Sequence, residues 1–140
     1  MKRKRRTTIL IQGDPSLARS LAEIITTNYD YREIVAPRYG LTMMKMRESA
    51  KNSLFYIGEV LITETKAEVN QCIGIGLITG MQDELSKDLA IIDAAYKANL
   101  PETKDWEDQL IAAEEQIEKQ KAQKQAEIFE TKVNFETMDV

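Results

Sequence analysis

The sequence predicts an α+β fold: a four-stranded antiparallel meander packed with helices, preceded by two short helices and followed by a long helical arm ending in a strand-like segment. Three observations carry this. Apolar residues recur at helical spacing before residue 28 and again over 81–98. Between them, from Tyr31 to Gly80, the period falls to two in four runs joined by short links. Beyond Pro101 a third helical stretch begins, far more polar than the others, and its last residues alternate polar and apolar.

Each element has a local reason. Residues 4–12 and 15–28 form two helices broken at "QGDP". Asp14 is placed to cap the second, and Pro15 takes its first position, where a missing N–H costs nothing. Leu17, Leu21, Ile24 and Ile25 give that helix its apolar face. "YREIVA" (31–36) and "LTMMKMR" (41–47) read as strands flanking a "PRYG" turn. "LFYIGEVLITETK" (54–66) and "VNQCIGIGLITG" (69–80) follow. Short links make the four runs antiparallel, because parallel pairs need long crossovers.

Residues 81–98 return to the helical period, with Leu85, Leu89, Ile92 and Tyr96 on one stripe, and Pro101 ends the segment. The last helix carries a narrow stripe of Trp106, Leu110, Ala113 and Ile117 that fades into "EKQKAQKQAE". The chain therefore divides into an α+β core over 1–98 and a linker, polar helix and docking tail over 99–140, within one structural domain.

Composition narrows function. The chain has 140 residues, 43% hydrophobic and 30% charged. That suits a globular domain with a real core. No apolar run is long enough for a membrane span or a signal-peptide core, so a cytoplasmic location is expected. A single cysteine excludes an internal disulfide framework. There is no histidine, which removes the commonest general base and metal ligand. Five of the 19 basic residues lie in "KRKRR" (2–6), leaving an acidic body that argues against a nucleic-acid surface.

"GIGLITG" resembles a dinucleotide loop, but Gly74 and Gly76 alternate with Ile73, Ile75 and Leu77 inside a strand. They are read as a small-residue face for a closely packed helix, and Gly80 as a turn. Cys72, on the same face and without a histidine to activate it, reads as inert. The basic leader reads as a frayed, solvated terminus, with contact to an anionic group as the alternative. Glu59, Glu64 and Glu68 form no catalytic pair and suit a charged sheet edge. The residues thus describe a domain with a partner-seeking C-terminus and no visible active site.

Several segments in this order, "YREIVAPRYGL", "YIGEVLITE", "IGLITG" followed by Asp93-Ala94, and "TKVNFETM", resemble the PhnG family of the bacterial carbon–phosphorus lyase machinery. The closing segment is the most specific. The family typically ends T-R-V-D-F-F-T-M, and Thr131, Val133, Phe135, Thr137 and Met138 match it, while Lys132, Asn134 and Glu136 depart. Glu64 stands where an Arg is usual, and Met81, Gln82 and Leu85 replace polar family residues.

The resemblance implies an accessory transferase subunit, without catalytic residues or a cofactor of its own. It implies work beside PhnH, PhnI, PhnJ and PhnL type subunits on ATP and methylphosphonate. ATP is the substrate of the whole assembly, adenine is displaced, and the product is α-D-ribose 1-methylphosphonate 5-triphosphate. Thr131, Lys132, Val133, Asn134, Phe135, Thr137 and Met138 are then expected to dock on a neighbour by strand addition. Two other readings stand beside it: a homodimeric scaffold joined through the arm, and a free-standing enzyme using Glu59 or Glu64 in a deep pocket.

Overall fold

The computed structural model describes the backbone of residues 1–47 and 54–138 and the side chains of residues 1–43 and 58–132. Its elements are α1 (Arg3–Gln12), α2 (Pro15–Asn28), β1 (Tyr31–Arg47), β2 (Leu54–Val69), β3 (Cys72–Thr79), α3 (Asp83–Lys97) and α4 (Glu102–Met138). The α+β class agrees with the expectation. The strand count does not: the sheet has three antiparallel strands in the order β1-β2-β3.

The fourth strand disappears because "PRYG" is no turn. Residues 31–47 form one strand that pairs with β2 from Tyr31↔Val69 to Arg47↔Leu54. Pro37 fits there because β1 is an edge strand, where a missing donor breaks no ladder on the open side. Register shifts between Glu33 and Val35 and between Val35 and Arg38 take up the surplus residues as bulges. Because β3 pairs only with Ile62–Val69, β1 and β2 run on past it as a two-stranded ribbon. At the other end β2 and β3 are joined by Asn70 and Gln71, both at positive φ (48 and 67°). That is the conformation of a tight two-residue hairpin.

Helix α3 is the centre of the molecule. Ten of its fifteen residues are buried, since one side lies on the sheet and the other against α1 and α2. The approach to β3 is close because Gly74 and Gly76 place no side chain between strand and helix. A Cβ on Gly74 would overlap the Ala90 carbonyl oxygen and the Ala94 amide, and one on Gly76 the Ser86 carbonyl oxygen. Gly80, at φ +85°, turns the chain into α3. Asp14 caps α2 as expected, accepting the Ser16 N–H at 2.9 Å, so one of the helix's orphan donors is satisfied.

Helix α4 differs from its expectation. It begins at Glu102, buries Trp106, Leu110 and Ile117 in the core, and runs unbroken to Met138. The closing residues therefore do not form a strand-like segment. A strand needs a partner edge for its backbone groups, whereas an established helix extends by one internal hydrogen bond per residue.

The glycine contacts are testable. Gly76→Ala should cost stability at or above the upper end of the ~1–3 kcal/mol typical of overpacking. At Gly58 an added Cβ meets nothing within 4 Å among the described residues. Gly58→Ala should accordingly stay within about 0.5 kcal/mol of wild type in urea unfolding. Equal midpoints for the two variants would contradict the packing described.

Candidate functional site

Two charged centres flank α3. The first explains the basic leader, which is not frayed: α1 begins at Arg3, and Arg6 is buried. Asp93 on α3 gathers it. Its Oδ1 accepts Arg3 Nε at 2.9 Å and Arg6 Nη2 at 3.1 Å, and its Oδ2 accepts the Ile75 N–H of β3 at 3.0 Å. Lys97 Nζ lies 3.4 Å from Oδ2. The Arg6 guanidinium also sits 3.8 Å from the centre of the Tyr96 ring, which meets Trp106 edge-on. That placement over a ring face adds a cation–π attraction. Burial holds the Arg6 pKa below its usual value, against the opposing pull of Asp93. Arg5 is paired as well, with Glu114 of α4 at 2.7 Å. These cations bind the molecule's own carboxylates, so the centre is a clamp joining α1, α3, α4 and β3.

The second centre lies at the other end of α3. A cavity of about 710 Å³ opens between the start of α2, Tyr39 of β1 and the first turns of α3. Asp88 lines it and is only 7% exposed. Among the described residues it makes no hydrogen bond or ion pair; Arg19, the nearest cation on α2, is taken by Glu23 at 3.1 Å and Glu84 at 2.9 Å. Burial accordingly pushes the Asp88 carboxyl up to about 6, with Arg19 pulling the other way, since removal from water disfavours the charged form. At the rim the Tyr39 hydroxyl donates to Asp83, and Met81 stands exposed.

The carboxylates expected for an enzyme lie elsewhere. Glu64 is on the outer face of β2, paired with Arg38 at 3.2 Å, and Glu59 is exposed on the ribbon. Glu68 pairs with Arg32 at 2.6 Å on the same outer face. Cys72 is half-buried at the start of β3. Sequence reasoning passes over Asp88, although a signal is present: it falls three residues after Leu85 and four before Ile92, beside the apolar stripe of its helix.

The expected docking residues lie at the end of α4. Beyond Ile117 the helix leaves the core, and Ile128 and Phe129 are 61% and 67% exposed. Thr131 and Lys132 are exposed too, with the Thr131 hydroxyl donating to the Glu127 carbonyl of its own helix. Val133, Asn134, Phe135, Thr137 and Met138 continue the helix; their side chains lie outside the described residues. Among the described residues, no helix is long and apolar enough to cross a membrane, and no group of three His, Cys, Asp or Glu residues is placed to hold a metal.

Comparison with known proteins identifies the chain as a protein of phosphonate metabolism. The family model described as phosphonate metabolism protein PhnG matches residues 1–139, and the chain belongs to the PhnG family. No curated protein matches it.

The Asp88 environment sets a pH dependence opposite to that of an ion-paired carboxylate. Its folded-state pKa of about 6 stands against an unfolded value near 3.9. The raised value makes the group destabilising, fully so above about pH 6 and not at all below about pH 3.9. Asp88→Asn should therefore be more stable than wild type by about 1–3 kcal/mol at pH 8. The gain should shrink as pH falls through 6 and vanish near 4. Denaturant unfolding at pH 8 and 4.5 decides the point, and a pH-independent difference would refute it.

Proposed function

We propose that this chain is an accessory, non-catalytic subunit of the assembly that makes α-D-ribose 1-methylphosphonate 5-triphosphate from ATP and methylphosphonate, with displacement of adenine. Membership of a phosphonate metabolism family supports the process. The observation that carries the subunit role is the projecting half of α4. The helix has 37 residues, and among its described side chains, which run to Lys132, the last buried one is Ile117. At the ordinary helical rise it is roughly 55 Å long.

A polar helix standing alone in water gains little from packing. One that presents Ile128 and Phe129 to solvent towards its far end is built to lie in a groove. Its occupant is a neighbouring subunit of the PhnH, PhnI, PhnJ or PhnL type. The docking surface comprises Ile128 and Phe129 together with the family-like end, Thr131, Lys132, Val133, Asn134, Phe135, Thr137 and Met138. The mode is helix-in-groove, because α4 remains helical to Met138. ATP is a substrate of the assembly, and the cytoplasm is its location.

Tagged chain is to be co-expressed with the four partner types, and the purified material assayed for adenine release from ATP and methylphosphonate. Wild type should co-purify and support release. Ile128→Asp with Phe129→Asp should lose co-purification by at least tenfold while thermal unfolding of the chain is unchanged, because both side chains lie outside the core. Adenine release that proceeds equally without the chain would overturn the reading. A stable homodimer broken by the same substitutions would assign the arm to self-association instead.

A further inference from the structure

The unpaired carboxylate in the α2–α3 cavity has no role in the clamp or the arm. Asp88 is only 7% exposed, and still no donor among the described residues reaches it. The molecule's other buried acid on α3, Asp93, receives Arg3, Arg6 and a backbone N–H. The Asp88 oxygens keep access to water through the cavity, so an entering donor would replace water there.

We propose that the cavity binds a cationic nitrogen group, an ammonium or a guanidinium, with Asp88 as its counter-charge. The charges around it select the sign. Asp83, Glu84 and Asp88 line the space against a single cation, Arg19, whose guanidinium is already held by Glu23 and Glu84. An anion would meet three carboxylates. The walls select the shape: Pro15, Met81 and Leu85 are apolar and Tyr39 adds an aromatic ring. Such walls suit a methylene stem or a flat guanidinium behind the charge. The cavity volume of about 710 Å³ accommodates such a group with its stem, being within the usual range for small-molecule sites.

Binding would be governed by pH through groups on every neighbouring element. Arg19 of α2 and Lys87 of α3 favour the ionised carboxylate, while Glu23 of α2 and Glu84 of α3 oppose it. A bound cation favours ionisation further, so affinity rises as pH rises through the titration of Asp88. The site is independent of the arm and of the subunit role.

The test uses the full chain, with the side-chain carboxyl of Asp88 followed by carbon-detected NMR. The probes are agmatine, as a free small amine, and acetyl-Gly-Arg-Gly-amide, as a protein side chain. Millimolar or tighter binding is expected at pH 7.5, with the Asp88 titration moved down by at least one pH unit. Affinity should fall about tenfold by pH 5, where a carboxyl titrating at about 6 is mostly protonated. Asp88→Asn has no carboxyl to follow, so its binding is read from backbone amide shifts, which should no longer respond to either probe while the spectrum remains that of a folded chain. Binding by agmatine alone assigns a small-molecule site, and binding by the peptide alone assigns a partner's Lys or Arg. No response to either probe, or undiminished binding by Asp88→Asn, overturns the proposal.

Discussion

The rest of the structure hangs on one close approach, that of α3 to β3 across Gly74 and Gly76. With no side chain between them, the helix backbone sits against the strand, Ala94 over Gly74 and Ser86 over Gly76. That distance lets Asp93 reach the Ile75 N–H on β3, where it also collects Arg3 and Arg6. It equally lets the Ser86 hydroxyl meet Thr65 at 2.9 Å and donate to the Gly76 carbonyl at 3.0 Å. Asp93 and Ser86 are thereby paired, which a low-dielectric setting favours. One steric condition thus fixes the sheet, the central helix and the seat of α1.

Helix α3 then presents two acids with opposite fates. Asp93 is surrounded by donors from three elements and holds the N-terminal helix in place. Asp88, nearer the helix start, is mostly buried, meets no protein donor among the described residues, opens on the cavity, and titrates well above the usual carboxylate range. The contrast is one of geometry, because both residues are aspartates on the same helix. An acid paired with the protein's own donors contributes to the fold, and one held without them is destabilising when ionised.

The C-terminal half of α4 obeys a different balance. Its described side chains, as far as Lys132, lie outside the core, so its helicity rests on propagation from the packed first turns around Trp106 and Leu110 and on residues with good helix propensity. Ile128 and Phe129 gain nothing from that arrangement in the chain by itself. Their exposure leaves two large apolar side chains on an otherwise polar arm.

The sequence by itself determined the α+β class, the capped second helix, the glycine face of β3 and the stripe of α3, because each depends on periodicity or backbone conformation within a few residues. It also carried the family, and the residues of that likeness prove to be geometric: Gly74 and Ala94 in contact, Asp93 at the clamp. Only the tertiary structure decided the rest. "PRYG" became part of one bulged strand because β1 lies at the sheet edge, where Pro37 is tolerated. The final described residues stayed helical because, among the described residues, no strand pairs with them, although their alternation suits a sheet. The basic leader became a clamp, and Asp88 an unpaired buried acid, because burial and pairing depend on elements far away in the chain. Local pattern cannot encode which distant side chains arrive, and that arrival sets the energy of every buried charge.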